Sequence, residues 1–202
     1  MAKSNYLFKF LSGAAVFFYS YAGGADVDRE GTKKEQGQIY VPVSSDADRR
    51  RLIKSVYDAE EGVRETGKNS GKRVEEYLHY VNLKKGEPWC AAFVCWVFGR
   101  AYIANPASGW SPDLFPKGKV IWQRSALAKY QSRFPKTGDV FGIWFPEKKR
   151  IAHVGFVDQW NDTWLITVEG NTNEAGSREG DGVYRKRRLV RSVYQVASYV
   201  IK

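Results

Sequence analysis

The sequence predicts an α+β domain in which N-terminal helices pack against one face of an antiparallel β-sheet. Two observations predict it. Apolar residues recur at helical spacing in the first half of the chain, whereas from Lys136 onward short alternating segments are separated by turn residues. The chain has 202 residues, which is enough for one domain with a real hydrophobic core and an additional segment.

Caps and apolar periodicity mark the predicted helices. Ser44 or Ser45 can cap the first helix, and Gly62 ends it. The third helix opens at Pro88, whose fixed φ suits a first turn, and it is apolar on every face over residues 91–98. We therefore expect this helix to be buried. The predicted helices cover residues 46–61, 74–80, 87–98 and, after a loop rich in Pro and Trp, 120–129.

The predicted strands occupy the second half of the chain. Val, Ile, Phe and Trp dominate them, and Gly, Asp, Asn and Pro mark the turns between them. The predicted strands cover residues 140–145, 151–160, 164–169, 183–189 and 193–201.

The first 25 residues resemble an export signal. Lys3 and Lys9 form a basic start, residues 10–22 an apolar core, and residues 22–25 a run of small residues where a peptidase can cut. The apolar run is short for a membrane span. We expect an exported protein, periplasmic or secreted, or one anchored in the membrane through the uncleaved segment; the alternative is a buried N-terminal helix. Residues 26–45 are then a linker, and residues 46–202 are the domain.

The charge of the chain favours an anionic partner. Basic residues outnumber acidic ones by 32 to 22, which gives a net charge of +10. For an exported chain, an anionic envelope polymer or a membrane surface fits this charge, and nucleic acid is not expected. Arg185, residues 186–188 and Arg191 form a candidate phosphate-binding stripe. The alternative is a charged edge strand that faces solvent and blocks aggregation.

Cys90 is the candidate nucleophile. It lies in the first turn of the third helix, where unpaired backbone N–H groups and the positive end of the helix dipole favour the reactive thiolate. The alternative is a small buried apolar residue. Cys95 is predicted to be a structural thiol of the core. Residues five apart on a helix face different sides, so a disulfide between the two cysteines would break the helix.

Polar side chains that complement a thiol follow on two later strands. His153 shares a strand face with Gly155, whose missing side chain leaves room for another group. Glu169 and Asn171 are two apart at the end of the next strand and can point the same way. In cysteine acyl transfer an imidazole takes the thiol proton, and a third group, here either Glu169 or Asn171, orients the imidazole. An oxyanion hole is expected from the backbone N–H of Cys90 and a neighbouring polar group.

Four ordered motifs carry a resemblance to a known family. The chain resembles the CHAP (cysteine, histidine-dependent amidohydrolase/peptidase) proteins, which belong to the wider NlpC/P60, papain-like class. The matching motifs are PWCAAF at 88–93, GDV at 138–140, HVG at 153–155 and EGN at 169–171. Residues 62–65 and 69–71 are also similar to the start of one branch of small bacterial cell-wall amidases. The resemblance covers residues 46–201, nearly all of the predicted domain.

The resemblance implies a papain-like fold and the cleavage of peptidoglycan. Cys90 would be the nucleophile, and His153 the base and acid. Glu169 would orient the imidazole, and Asn171 would be a further polar partner. The amide cut through a thiol acyl-enzyme would be the N-acetylmuramoyl-L-alanine bond or a bond of the stem peptide. The further substrate contacts expected are Trp89, Glu65, Asn69 and Trp110.

The resemblance does not imply a cofactor for this chain. Some family members bind calcium through an Asp-rich loop near the cysteine, and the sequence has no counterpart of that loop, so no metal is expected. We expect a monomer. Two alternatives to a wall hydrolase stay open: a non-catalytic protein of the same fold that binds the cell wall or a polyanion, and an exported antibacterial toxin with the same chemistry.

Overall fold

The computed structural model describes residues 45–124, 133–174 and 180–200. Within these residues three α-helices precede a six-stranded sheet, which confirms the predicted α+β class with the helices first. None of the described helices is long and apolar enough to cross a bilayer, and the candidate export segment lies outside the described residues. The helices are α1 (Asp46–Glu60), α2 (Lys72–Tyr80) and α3 (Cys90–Arg100). The strands are β1 (Val120–Gln123), β2 (Val140–Phe145), β3 (Arg150–Trp160), β4 (Trp164–Thr172), β5 (Gly182–Leu189) and β6 (Gln195–Ala197).

The six strands form one antiparallel sheet in the order β1-β6-β2-β3-β4-β5. Strands β2 to β5 pair in chain order, and β6 returns to pair with β2 while β1 pairs with β6 on the outside. The architecture is α+β, with N-terminal helices before the sheet, as in the papain-like CHAP fold expected above. Strands β3 and β4, which carry the candidate catalytic residues, each have a neighbour on both sides.

Helix α1 begins where the sequence predicts. Of the two serines considered, Ser45 is the cap: its hydroxyl accepts a hydrogen bond from the Asp48 N–H at 3.1 Å, and the Asp48 carboxylate accepts one from the Ser45 N–H. Tyr57 of α1 is buried and stacks on Phe156 of β3, with ring centroids 5.3 Å apart. Gly62 follows with a φ of 92°, a conformation that glycine adopts without strain.

Helix α3 begins later than the sequence predicts. Trp89 is its N-cap and Cys90 its first residue, so Pro88 lies before the cap and not in the first turn. Every residue from Cys90 to Phe98 is buried, as expected from their apolar character. Tyr77 of α2 stacks on Trp89, with centroids 5.6 Å apart, and meets Phe93 edge-on. This aromatic packing fixes the start of α3 and therefore the position of the thiol.

The sheet carries apolar residues on both faces. Val154 and Phe156 of β3 belong to the main core with the helices, whereas Val157 joins a second, smaller cluster with Phe141 and Leu165. The pairing of β2 with β3 shifts register immediately after the Ile143–His153 pair. A bulge at this point changes the direction in which nearby side chains leave the strand.

Two predictions about the C-terminal half are wrong. Residues 120–123, predicted as the start of a helix, form β1, since Val, Ile and Trp are strand-forming residues and β6 offers them a partner. Residues 125–129 of that predicted helix lie outside the described residues. The last strand, predicted over 193–201, is only Gln195–Ala197: a 3₁₀ turn at Val190–Ser192 precedes it, and the Ser198 N–H that follows it donates to the Lys119 carbonyl beside β1.

Candidate active site

Cys90 is a free, buried thiol at the N-terminus of α3, with 6% of its surface exposed. The first N–H groups of a helix have no intrahelical partner, so they can stabilise negative charge on the sulfur or next to it. Cys95 is also free, but its Sγ donates to the Ser108 carbonyl at 3.4 Å and burial raises its pKa to about 11. Cys95 is therefore a protonated structural thiol, and Cys90 is the candidate for the reactive one.

His153 lies on β3 and is 1% exposed. Its Nε2 donates to Oε2 of Glu169 at 2.7 Å. Gly155 makes this contact possible, because a Cβ at that position would lie 2.9 Å from Cγ of Glu169 and 2.8 Å from the Val168 carbonyl oxygen. Of the two orienting groups that the sequence left open, Glu169 is the one that contacts the imidazole.

The second ring nitrogen of His153 is available for proton exchange. Nδ1 is buried and has no hydrogen-bond partner among the described residues, so it can accept a proton from Cys90 if the thiol comes within reach. Burial raises the pKa of Cys90, but the neighbouring imidazole of His153, with a contribution from Ser111, outweighs burial and leaves the pKa below its usual value. Burial lowers the pKa of His153, but interactions with Cys90 and Glu169 raise it to about 9. The pair therefore favours thiolate and imidazolium over thiol and imidazole.

Glu169 is a buried and ionised carboxylate. It is 0% exposed, and burial alone would raise its pKa, but Arg188 and His153 lower the pKa to about 2. Arg188 contacts both carboxylate oxygens, with Nε 2.5 Å from Oε1 and Nη2 2.6 Å from Oε2. The hydroxyl of Thr167 donates to Oε1 at 2.5 Å. The carboxylate is thus fixed in charge and in orientation before it meets His153.

Asn171 braces the start of α3. Its side-chain oxygen accepts from the backbone N–H of Trp89 at 3.1 Å, and its amide nitrogen donates to the Gly180 carbonyl at 3.2 Å. Its φ of 53° lies in the left-handed region, which Asn tolerates better than most residues. Asn171 therefore contacts the residue before the candidate nucleophile.

Ser111 is a site residue that the sequence analysis missed. It opens a short 3₁₀ helix, Ser111–Leu114, is buried, and places its Oγ 3.7 Å from Sγ of Cys90. Its hydroxyl helps to lower the pKa of Cys90. The loop from Ala101 to Trp110 carries it to the thiol, and only the Ser-Pro pair at a turn hinted at a fixed position there.

The family comparison agrees with this geometry. The family model of the CHAP domain matches residues 82–171, a segment that contains Cys90, His153 and Glu169. Residues 82–171 of the chain are therefore similar to the CHAP domain. CHAP domains are in general cysteine- and histidine-dependent amidohydrolases or peptidases that act on peptidoglycan. No curated protein and no solved structure matches the chain.

The substrate-contact residues predicted from the sequence divide into two groups. Trp89 is fully buried and its Nε1 donates to Glu65 at 2.8 Å, so it is inaccessible to substrate and its place is in the core. The second oxygen of Glu65 accepts from the Asn69 N–H at 2.7 Å, so both residues brace Trp89 while lining a polar cleft. Trp110 alone is well exposed, at 51%, and the guanidinium of Arg150 stacks on it 3.9 Å from the ring centre.

The predicted phosphate-binding stripe on β5 is not a continuous basic surface. Arg188 is committed to Glu169, and Arg185 pairs with Asp158 at 2.5 Å and with two further acids of α1 and its C-cap. Lys186 donates to the backbone carbonyls of Asn173 and Glu174. Most of the basic side chains of β5 are therefore already paired with carboxylates or with backbone carbonyls.

Proposed function

We propose that the protein is a peptidoglycan hydrolase that cleaves an amide bond through a thioester on Cys90. The observation that carries the proposal is a free thiol at the N-terminus of a buried helix, whose pKa is lowered by a His153 that Glu169 holds through a 2.7 Å hydrogen bond, in a segment that matches the CHAP family model. A structural thiol needs neither an imidazole nor a buried, ionised carboxylate behind it, and each of these groups is costly to bury.

In the first half-reaction the thiolate of Cys90 attacks the carbonyl carbon of the scissile amide. The negative charge that develops on the carbonyl oxygen is stabilised by the free N–H groups of the first turn of α3 and by the hydroxyl of Ser111. The imidazolium of His153 then gives its proton to the amide nitrogen. The C–N bond breaks, the amine leaves, and the acyl group stays on Sγ as a thioester.

In the second half-reaction a water molecule takes the place of the amine. Neutral His153 removes a proton from this water while the oxygen attacks the thioester carbonyl. Sγ leaves as thiolate, His153 is again protonated, and the product is a carboxylic acid. Glu169 stays ionised throughout and keeps the imidazole directed by its contact with Nε2.

The substrate is an amide of the murein network, either the bond between N-acetylmuramic acid and L-alanine or a bond within the stem peptide. The exposed ring of Trp110 and the half-buried Arg150 that stacks on it form an aromatic and cationic surface next to Ser111, suited to a sugar ring or a carboxylate of the stem peptide. The net charge of +10 favours approach to an anionic envelope. Because the substrate lies outside the cytoplasmic membrane, we propose export through the N-terminal segment.

Digestion of purified sacculi tests this function. The wild-type protein should release soluble fragments, and Cys90→Ala should release none. Cys95→Ala is the matched control, since it removes the other buried thiol and should digest like the wild type. Mass spectrometry of products from defined muropeptides identifies the bond cut. Equal clearing by wild type and Cys90→Ala would exclude a thiol mechanism.

A further inference from the structure

Arg188 lies behind the carboxylate and not on the protein surface. It is on β5, outside the segment that the CHAP family model matches, and its side chain is only 14% exposed. Its guanidinium makes two parallel hydrogen bonds to Glu169, at 2.5 and 2.6 Å. The same carboxylate bonds His153, so a cation lies on each side of one buried acid.

Every strand that packs against Glu169 contributes a polar group to it. β3 contributes His153, and β4 contributes the hydroxyl of Thr167. β5 contributes Arg188 and, by charge alone, Lys186. Helix α3 contributes Cys90, which interacts with the imidazole of His153. Of these groups Arg188 is the one permanently charged partner in direct contact, because an arginine side chain does not lose its proton in proteins.

The geometry of the contact fixes orientation as well as charge. A guanidinium fork that holds both oxygens prevents the carboxylate from rotating, and this keeps Oε2 at 2.7 Å from Nε2 of His153. A lysine would keep the charge but bond the oxygens as a point donor. A neutral side chain at position 188 would leave the buried Glu169 carboxylate in contact with one cation, His153, and His153 can lose its charge.

We propose that Arg188 is a positioning residue of the thiol site, which holds Glu169 ionised and directed at His153 and thereby keeps Cys90 reactive in mildly acidic solution. The inference rests on the proposed thiol mechanism but not on the identity of the substrate. Without Arg188 the pKa of Glu169 rises, because burial is then opposed by one cation fewer. Once Glu169 is protonated it no longer stabilises imidazolium, so the pKa of His153 falls and Cys90 forms thiolate only at higher pH.

The rate at which iodoacetamide alkylates Cys90, measured against pH on the full chain, tests this. Peptide mass spectrometry separates Cys90 from Cys95. Arg188→Gln should move the acidic midpoint of the profile upward by about one to two pH units, which is about ten- to a hundredfold slower alkylation on the acidic limb. Arg187→Gln is the matched control: it neutralises the neighbouring arginine, which is exposed and stacks on Trp164, and should keep the wild-type midpoint.

Arg188→Lys decides the matter if Arg188→Gln does not fold, as judged by circular dichroism. Lysine keeps the charge but loses the fork, so we expect an upward shift smaller than that of Arg188→Gln. The inference would be overturned if the alkylation midpoint of Arg188→Lys, or of folded Arg188→Gln, stayed at the wild-type value. A lower maximal alkylation rate alone would not support the inference, because a purely structural residue lowers the rate equally at every pH.

The alkylation assay needs no peptidoglycan, so the two proposals can fail separately. Shifted midpoints together with intact muropeptides would retain Arg188 as a positioning residue and reject the proposed substrate. Cleaved muropeptides together with unshifted midpoints would retain the hydrolase and reject the role of Arg188.

Discussion

Cys90 stays acidic although it is almost fully buried. Burial favours the neutral thiol, and that effect is the largest one acting on the group. His153 reverses it, because the imidazolium is both a donor and a positive charge within reach of the sulfur. Glu169 and Arg188 lie behind the imidazole, so the reactivity of one atom depends on three side chains from three strands.

Ser111 is expected to act on the same sulfur from the other side. Ser111→Ala removes the hydroxyl that lies 3.7 Å from Sγ of Cys90. We expect kcat to fall about tenfold to a hundredfold with little change in KM, because the hydroxyl stabilises negative charge that develops in the transition state. Initial rates on a defined muropeptide measure this. Ser55→Ala, on the exposed side of α1, is the control. An unchanged kcat in Ser111→Ala would show that this hydroxyl does not belong to the oxyanion hole.

The residues that the sequence could and could not reveal differ in the range of their contacts. Cys90, His153 and Glu169 stand in short motifs with local signals: a helix start, a glycine two positions away, and a strand end. Ser111 and Arg188 reach the site through long-range pairing, which no local pattern encodes. The run of basic residues on β5 even suggested a solvent-facing surface, because the acids that pair with it are far away in sequence.

At the scale of the element, the start of α3 is held by a clamp of polar contacts. Asn171 at the end of β4 bonds the Trp89 N–H, and Glu65, from the turn between α1 and α2, bonds the Trp89 indole. Trp89 also stacks on Tyr77 of α2. Since Trp89 is the N-cap, these contacts place the first turn of α3, and Cys90 with it, against β3.

Asn171→Ala tests this clamp. Loss of the amide leaves the Trp89 N–H without its partner, so we expect hydrolysis to slow about tenfold or more, as small displacements of a nucleophile do. The pH midpoint of Cys90 alkylation should stay at the wild-type value, because Asn171 does not contact His153. If Asn171 oriented His153 instead, Asn171→Ala would shift the pH midpoint of Cys90 alkylation. A shifted midpoint would therefore contradict the role of Asn171 in holding the start of α3.

The accuracy of the element predictions follows from the same physics. Strands β2 to β5 were predicted nearly in full, because alternation and turn residues are local signals. Residues 120–123 were misassigned because the edge of β6, which they pair with, comes more than 70 residues later. The bulge beside His153 could not be predicted either, since it depends on how two strands meet and not on either strand alone.

At the scale of the whole molecule, the working unit is larger than the matched CHAP segment. Residues 82–171 carry the thiol, the imidazole and the carboxylate. The helices before them pack around α3, and β5 after them supplies Arg188. Arg185 of β5 also pairs with Asp158 of β3 and with Asp58 of α1. These ion pairs connect α1, which precedes the matched segment, to β5, which follows it. The flanking regions therefore complete both the core and the electrostatics of the site.

Glu169 links the chemistry of the site to the stability of the whole domain. Its pKa is about 2 in the folded protein, against about 4.3 in an unfolded chain, because Arg188 and His153 outweigh burial. A carboxyl group with a lowered folded pKa stabilises the fold above its unfolded pKa, and this stabilisation is lost as the pH falls through the folded pKa. We expect Glu169 to account for a loss on the order of 3 kcal/mol in the free energy of unfolding between about pH 5 and pH 2.

Urea unfolding at a series of pH values measures this loss. Glu169→Gln is less stable than the wild type at neutral pH, because Arg188 is then buried without its anion, but its stability should fall less steeply on acidification. Glu147→Gln, a change of an exposed carboxylate in the turn before β3, should follow the wild-type curve. If Glu169→Gln lost stability as steeply as the wild type, Glu169 would not be ionised in the folded protein, and the imidazolium of His153 would lack the charge that is expected to sustain it.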